Sequence, residues 1–371
     1  MAHARLMTRP ADHDRLGIEP GTVQPWEVGR RQDPVAGRSE LWHFEASMED
    51  GTTTAVAFCL VGPGPSDSGS AATVVNVFLT LPDGRRFQRT VPGVVEVSAI
   101  GTTRCELPFG PHAASGDLTT FTVTVDPVDG VGVELSYEAL VASYRPGGTG
   151  TIALSGDAVG DLHYAVHAVP RCAVTGTVTA DGRTWEVAGQ GYQDHQWTDA
   201  DLQGSWHHWV WGRFYSEHHT VVLHDLVTSE QFGFTRIPIF GVLDETGAVV
   251  LDNRAGVTSE VTTERDASSG KDYPKRSRYV VRDGTRVVEL DFEWTDELVA
   301  VDVYAAGDAA PELGGGQREE FDRMGVAPSY ARYRAAGTLR ITDGSEVVTE
   351  RGEMIYELNY VGRPDDRAPV G

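Results

Sequence analysis

Six Asp-Gly dipeptides divide this chain of 371 residues into segments rich in valine and threonine. Asp-Gly supplies the positive φ angles of a two-residue type I′ turn, and β-branched runs between such turns favour strands. The clearest hairpin is "YVVRDGTRVVEL" (279–290), whereas "QREEFDRMG" (317–325) has a short helical pattern. The sequence therefore predicts an all-β, antiparallel fold of sandwiches or barrels with little helix.

A weak internal repeat indicates two similar β-units in tandem. The segment 172–195 is similar to 333–358 in its Gly-Thr, Asp-Gly, Gly and Tyr positions. The segment 41–58 is likewise similar to 208–225, since each has an aromatic run followed by a β-rich strand. Equivalent positions lie about 165 residues apart, a spacing that is typical of a duplicated unit.

The repeat also predicts where the domains begin and end. We expect the boundary near Thr198–Ser205, so that one domain comprises 26–200 and the next comprises 201–371. Residues 1–25 show no usable periodicity and are interpreted as an N-terminal extension.

Composition argues against several classes of partner. The formal net charge is −23, whereas nucleic acids and anionic membranes both attract clustered Lys and Arg. No run approaches the roughly 18 apolar residues that span a bilayer, and the first residues do not form a secretory signal. Three cysteines do not predict a disulfide framework. We expect a cytoplasmic monomer or homodimer that binds no nucleic acid and does not insert into a membrane.

The stretch 189–214, "GQGYQDHQWTDADLQGSWHHWVWGRF", contains four of the eight tryptophans. Alternate side chains of a strand share a face, so one face carries His207, Trp209, Trp211, Arg213 and Tyr215. This face is too polar for a plain core and too aromatic for open solvent. This composition is typical of the wall of a pocket that binds a large, mostly apolar ligand. The alternative is an interface between domains.

The segment "GYQDHQW" places two titratable groups next to each other. Tyr192, Asp194 and Gln196 alternate with Gln193, His195 and Trp197. Aromatic surroundings would raise the pKa of Asp194 and make it a proton donor near neutral pH, with His195 holding it or relaying its proton. The alternative is that Asp194 caps a turn and His195 bonds a backbone carbonyl.

Metal and organic cofactors are not indicated. Six histidines lie between His195 and His224, but they show no compact H-x-H or H-x-x-x-H spacing. A site made of His207, His224 and Asp194 is the arrangement that a hairpin would allow. The G-x-S-x-G elbow, the phosphate-binding loop and a G-x-G-x-x-G on a strand–helix unit are missing from the sequence. We predict neither a metal nor a cofactor.

These residues also resemble a known family. A motif G-x-G-Y-x-D-H-x-W at Gly189–Trp197 is similar to the hallmark of the carotenoid 1,2-hydratase (hydroxyneurosporene synthase)-like proteins. "SELWHF" (Ser39–Phe44), the W-x-W-G at Trp209–Gly212 and "GEMIYELNYVG" (352–362) resemble their flanking motifs. The resemblance runs from about Trp42 to Tyr360. The chain departs from it at Gln196 and Thr198, where Asn and Gly are usual.

The resemblance implies two lipocalin-like β-barrels with a pocket near their junction. It also implies catalysis without cofactor or metal on a long, unsaturated, apolar substrate. Members of the family are either carotenoid hydratases or natural-product cyclases, including lipocalin-like Diels–Alderases. Cyclisation needs mainly a shaped pocket and donors that polarise a carbonyl, which the aromatic and polar residues can supply.

We therefore predict a cofactor-free cyclase for a polyene or polyketide-type small molecule. The alternatives are a hydratase that adds water to an isolated double bond and a lipocalin-style carrier. The predicted catalytic residues are Tyr192, Asp194, His195 and Gln196. The predicted substrate-binding residues are Glu40, Trp42, His43, Trp197, His207, Trp209, Trp211, Arg213, His224, Tyr356 and Glu357.

Overall fold

The structure is a computed structural model that describes residues 4–63, 72–93, 95–154, 162–252, 256–306 and 317–363. The chain folds into two compact units. Of the described residues, the N-terminal unit consists of Met7–Ala153 and 162–202, and the C-terminal unit is built mainly from Gln203 onward. The domain ranges expected from the repeat stay a prediction.

The N-terminal unit is an antiparallel sheet made mostly of hairpins. Chain segments before and within it are β1 (Arg5–Leu6), α1 (Pro10–Leu16), β2 (Ser39–Met48), β3 (Thr53–Val61), β4 (Ala72–Thr80), β5 (Arg86–Gly93), β6 (Cys105–Phe109), β7 (His112–Gly116), β8 (Thr120–Val128), β9 (Val131–Ala139), β10 (Thr151–Ala153), β11 (Leu162–Ala180) and β12 (Arg183–Thr198). Short 3₁₀ turns occur at Pro25–Val28, Val97–Ala99 and Pro146–Gly148.

The C-terminal unit is a second antiparallel sheet with three short helices. Its elements are α2 (Leu202–Ser205), β13 (Trp206–Tyr215), β14 (His219–Thr228), β15 (Arg236–Asp244), β16 (Val249–Asp252), β17 (Val257–Arg265), β18 (Asp272–Asp283), β19 (Arg286–Val301), α3 (Val303–Ala306), α4 (Gln317–Met324), β20 (Ser329–Asp343) and β21 (Glu346–Tyr360). A 3₁₀ turn lies at Glu230–Phe232. The antiparallel all-β prediction and the short helix predicted at 317–325 are confirmed.

Both sheets follow the same plan, because the first long strand of each unit pairs with its last. The strand order is β5-β4-β3-β2-β12-β11-β9-β8-β7-β6 in the N-terminal unit and β16-β15-β14-β13-β21-β20-β19-β18-β17 in the C-terminal unit. The repeated segments of the sequence are corresponding hairpins: β2–β3 matches β13–β14, and β11–β12 matches β20–β21. We call β2–β12 and β13–β21 the closing pairs of their units.

The Asp-Gly turns take two forms. Asp129 and Asp181 adopt positive φ together with the following glycine, as a type I′ turn requires. In the β18–β19 and β20–β21 hairpins the aspartate still pairs within the strand, and Gly284 or Gly344 is the first loop residue with positive φ. This position of glycine is the one that a type II′ turn favours. Asp-Gly therefore located these hairpins, while the expected turn type was wrong for the last two and also at Asp50-Gly51 and Asp83-Gly84, where only the glycine has a positive φ.

Each sheet packs one face on an apolar core, which we call its inner face. In the N-terminal unit this core includes Trp42, Phe44 and Phe58, and in the C-terminal unit it includes Val210 and Phe214.

Candidate active site

The β2–β12 closing pair carries the motif that the sequence singled out. Asp194 lies directly opposite His43 in the antiparallel register, and His195 lies opposite Trp42. Because side chains alternate along a strand, these neighbouring pairs point to opposite faces of the sheet. Trp42 faces the apolar core, so Asp194 and His43 lie on the other face, which we call the outer face.

Asp194 is the centre of a buried polar group on this outer face. Its side chain is fully buried, and Gln196 Nε2 donates to Oδ1 at 2.8 Å. His43 Nδ1 lies 3.6 Å from Oδ2. Among the described residues, no donor lies within hydrogen-bond distance of that Oδ2. The second carboxylate oxygen therefore faces a histidine ring at a distance that a small movement converts into a hydrogen bond.

The electrostatics of Asp194 differ from the sequence prediction. Burial opposes ionisation of the carboxyl, but the adjacent His43 ring and, to a smaller extent, the Gln196 amide outweigh it. The pKa of Asp194 consequently lies below its ordinary value, and the carboxylate is ionised at neutral pH. The raised pKa that would have made Asp194 a proton donor is wrong, because the expectation counted desolvation and not the polar neighbours.

Two further histidines of β11 belong to the same face. His167 Nδ1 contacts the Tyr192 hydroxyl in a short hydrogen bond. Burial lowers the pKa of His163 and of His167 to about 4, although the Asp194 charge opposes the shift. Both rings are therefore neutral at pH 7. We call His43, His163, His167, Tyr192, Asp194 and Gln196 the Asp194 cluster.

Sequence reasoning missed His163 and His167. Their H-x-x-x-H spacing in "HYAVH" (163–167) is a visible signal, but it lies outside the histidine-rich stretch between His195 and His224. Their approach to Asp194 depends on the pairing of β11 with β12, including the register shifts after Val166 and Val169. The sequence alone does not reveal such shifts.

His195 does not hold Asp194. Its ring lies on the inner face, where Nδ1 is 2.6 Å from the Glu27 carbonyl oxygen and Nε2 is 2.8 Å from Glu40 Oε1. The bond to a backbone carbonyl was the alternative interpretation of the sequence. Trp197 of the same face stacks on Tyr164, with ring centroids 5.4 Å apart.

The C-terminal unit brings together a second set of predicted residues on the outer face of β13–β21. Trp211 stacks on His224, and Glu357 is directly opposite Trp211 in the register. Tyr330 donates to Glu357 Oε2 at 2.7 Å. Arg213 is buried on the same face, and burial lowers the pKa of its guanidinium against the opposing influence of Tyr215, Glu353 and Glu357. We call Trp211, Arg213, His224, Tyr330 and Glu357 the Trp211 cluster.

Three predicted binding residues of the C-terminal unit, His207, Trp209 and Tyr356, lie outside this cluster. A register shift between Trp206 and His208 interrupts the alternation that was expected to align His207 with Trp211. His207 Nδ1 lies 2.7 Å from His208 Nδ1. Trp209 packs against a small apolar group that includes Phe321.

Tyr356 points to the inner face and donates to the Pro274 carbonyl at 2.8 Å. It therefore belongs to the core of the C-terminal unit. Within the described ranges, no group of three or more His, Cys, Asp or Glu side chains has the geometry of a metal site. The described residues also include no helix that is long and apolar enough to cross a membrane. The pocket predicted near the junction of the domains stays a prediction.

Among the cavities lined by described residues, two that lie within single units stand out. The larger, of about 600 Å³, lies among the hairpin turns of the N-terminal unit that contain Asp83 and Asp181, with Trp185 in its wall. The smaller, of about 20 Å³, lies in the C-terminal unit beside His208, Asp225 and Tyr279. A space of this smaller size holds about one water molecule.

Comparison with known proteins identifies a family and a fold. The family model described as "Domain of unknown function (DUF7064)" matches residues 35–315. A curated relative, the ceramide-binding protein svf1 of Emericella nidulans, is 23% identical over 205 residues. That match covers 52% of this chain and 51% of the relative, so the chain spans about half the length of the curated protein.

Three solved structures share the architecture over nearly the whole chain. A candidate AttH protein of Nitrosomonas europaea has a TM-score of 0.64 at 16% identity, covering 93% of this chain and 99% of its own. CghA with Sch210972 has a TM-score of 0.60 at 15% identity, covering 92% and 96%. Kievitone hydratase from Nectria haematococca has a TM-score of 0.57 at 15% identity, covering 91% and 90%. The predicted two-part lipocalin-like fold is confirmed.

Proposed function

Because the chain belongs to the DUF7064 family, which is described as a domain of unknown function, we propose its function from the geometry of its own residues. We propose a cofactor-independent enzyme of the cyclase or hydratase type. Its substrate is an unsaturated, largely apolar small molecule that carries a carbonyl or hydroxyl group. Cyclisation, including [4+2] cycloaddition, is the reaction that the residues favour.

The observation that carries this proposal is the buried pair of Asp194 and His43. A carboxylate held ionised beside an imidazole favours the protonated ring and orients it, so that the ring can give a proton to a substrate oxygen and take it back. A positioned acid–base group of this kind contributes about 10²–10⁴-fold to a rate. Asp194 is the orienting anion in this arrangement, and His43 is the group that touches the substrate.

The state of Asp194 favours cyclisation over hydration of an isolated double bond. An unactivated alkene must be protonated on carbon by a strong acid, and a carboxyl that is already ionised cannot do so. A cyclisation needs only a donor at a carbonyl oxygen, where charge develops, and a surface that holds the reacting carbons together. The neutral His163 and His167 rings and the Tyr192 hydroxyl add polar surface without adding charge.

The first experiment is conversion of a panel of linear polyenes with a terminal carbonyl or acidic ring, followed by mass spectrometry. A new product of unchanged mass supports the cyclase, and a gain of one water supports a hydratase. Asp194→Asn removes the orienting charge at nearly constant shape. Asp126→Asn, an exposed aspartate of the same unit, is the matched control. Equal turnover by the two variants would exclude Asp194 from the chemistry.

A second candidate function is binding of a long-chain lipid without turnover. The similarity to a ceramide-binding protein over half its length favours it. Tryptophan fluorescence with ceramide and with the polyene panel distinguishes the two candidates. Quenching by a ligand that is recovered unchanged, with no product from any polyene, supports the carrier.

A further inference from the structure

The inner face of the β2–β12 closing pair holds a polar network that the proposed chemistry does not use. It joins the two strands to a segment that precedes β2. We call this segment, Gln24–Gln32, the strap. The strap contains the 3₁₀ turn at Pro25–Val28 and begins where the segment without usable periodicity, residues 1–25, ends.

Two stacked rings bind consecutive carbonyls of the strap. His195 and Trp42 lie directly opposite each other and stack, with ring centroids 4.8 Å apart and planes at 15°. His195 Nδ1 contacts the Glu27 carbonyl oxygen, and Trp42 Nε1 donates to the Val28 carbonyl oxygen at 2.8 Å. A stack that bridges two strands is thus fixed from one side by the strap.

The carboxylate of Glu40 completes the network. It lies 2.8 Å from His195 Nε2 and also accepts the backbone N–H groups of Arg31 at 2.7 Å and Gln32 at 3.0 Å. Both ring nitrogens of His195 therefore face acceptors, a carbonyl oxygen and a carboxylate oxygen. A ring that satisfies both must donate from both nitrogens, as an imidazolium does.

The other end of the strap is anchored by the side chain of Glu27. Tyr164 donates to its Oε2 at 2.6 Å, and Arg145 Nη1 lies 3.5 Å from the same oxygen. Gln24 N donates to its Oε1 at 2.8 Å. The strap is therefore held by charged and aromatic groups at both of its ends, and Glu27, Glu40 and His195 are all almost fully buried.

We propose that His195 is a positioning residue, a buried imidazolium that with Trp42 and the strap aligns Asp194 with His43. The His195–Trp42 pair is the next cross-strand pair after Asp194–His43 and lies on the opposite face. When the His195–Trp42 pair is held in place, the neighbouring peptide units of both strands are held as well. The directions in which Asp194 and His43 project are then fixed. This inference rests on the proposed function only in taking Asp194 and His43 as the reacting pair.

The alignment matters because acid–base groups tolerate little displacement. A shift of about 1 Å in a reacting group costs on the order of 10²-fold in rate. His195 acts from the far side of the sheet and does not need to touch the substrate. Its loss should therefore lower kcat and leave KM nearly unchanged.

The test uses the full chain with His195→Gln, and His218→Gln as the matched control, since His218 is exposed. Nitrogen NMR of the wild-type protein should show His195 protonated at both ring nitrogens, with both protons protected from exchange. His195→Gln should lower kcat about 10–100-fold at unchanged KM and shift the ring resonances of His43. It should also speed tryptic cleavage in the strap at Arg30 and Arg31.

If His195→Gln fails to fold, Trp42→Phe keeps an aromatic ring but removes the Val28 hydrogen bond and part of the stack on His195, with a smaller effect expected on the same readouts. A singly protonated His195 would overturn the imidazolium assignment. Unchanged His43 resonances in a folded His195→Gln protein would overturn the positioning role. Because these spectra need no substrate, they test the inference even if no turnover is found. An absence of turnover would count against the proposed function alone.

Discussion

The two closing pairs occupy the same place in their sheets but differ in what they bury. The β2–β12 pair is polar on both faces, with Asp194 and His43 outside and His195 inside. Between Val210 and Phe214 the inner face of β13–β21 is apolar core, and its polar side chains lie on the outer face. The shared plan therefore supplies the frame, while the strands that carry the motif hold buried polar or charged side chains on both of their faces.

This difference bears on what the inner network does. Replacing a buried ion pair by apolar side chains of similar volume is often neutral or stabilising, so such a pair is weak evidence for stability. On β13–β21 itself the inner face between Val210 and Phe214 is apolar, and the buried Asp225–Arg236 pair of the C-terminal unit lies on the neighbouring strands β14 and β15. An orienting role for His195 is consistent with that comparison.

The largest expected effect is the difference in kcat between a variant of the Asp194 cluster and a variant of the Trp211 cluster. Asp194→Asn should lower kcat by about 10²–10⁴-fold, because it removes the charge that orients His43. Glu357→Gln in the Trp211 cluster keeps the acceptor for Tyr330 and should change kcat less than about tenfold. Turnover kinetics on the best polyene substrate measure both variants. A larger loss for Glu357→Gln would move the chemistry to the C-terminal unit.

The next effect concerns the stability of the N-terminal unit. His195→Ala leaves the Glu40 carboxylate buried without its charged partner and should lower the free energy of unfolding by about 3–5 kcal/mol. Glu40→Gln combined with His195→Gln should cost less than the two single changes added together, because the residues share one interaction. Urea unfolding measures the loss in the free energy of unfolding. Hydrogen exchange shows which strands lose protection. Additive costs would show that the two side chains are not coupled.

An effect that is smaller for each residue, and that is distributed over both units, depends on pH. The folded pKa values of His163 and His167 are about 4, and that of His208 is about 3, because burial disfavours the charged rings. Unfolded histidine titrates near 6.5, so the unfolded chain binds more protons and stability falls as the pH drops below about 6.5. Each ring should cost about 2 kcal/mol between pH 7 and pH 5.

Two such histidines lie in the N-terminal unit and one in the C-terminal unit, so the N-terminal unit should open first on acidification. Asp194 does not contribute in this window, because a carboxyl with a lowered pKa loses its contribution only below about pH 4. Hydrogen exchange at pH 7 and pH 5 compares the units. His167→Gln should reduce the loss in the N-terminal unit, and an unchanged loss would argue against the neutral buried ring.

The smallest expected effect is at the turns. Arg85 pairs with Asp83 and Asp181 between two hairpin loops, but all three side chains are about half exposed. Exposed pairs are screened by water and salt. Arg85→Ala should therefore leave the urea midpoint unchanged within error, in contrast with His195→Ala.

The sequence predicted the frame more fully than the site. Asp-Gly turns, β-branched runs and the repeat were sufficient for the strands and for the correspondence of hairpins, because these signals are local or periodic. The alternation of "GYQDHQW" correctly placed Asp194 and His195 on different faces. The prediction that His195 holds Asp194 or relays its proton was wrong, because the two side chains lie on opposite faces of the sheet.

What remained hidden depends on contacts between distant parts of the chain. Glu27 and His167 lie far in sequence from the residues they contact, and no local pattern connects them. The pKa of Asp194 was predicted in the wrong direction because its sign is decided by those neighbours. His207 is not aligned with Trp211 because a register shift interrupts the alternation of the strand. Such a shift cannot be recognised from the composition of the segment.

Pairing the first strand of a unit with its last also has a consequence for folding. His43 and Asp194 are separated by about 150 residues, and contacts between such distant residues form late because the intervening chain must be ordered first. The hairpins between them can form early and independently. During synthesis the Asp194 cluster therefore cannot assemble until β12 has left the ribosome, and a shorter nascent chain has strands without a site.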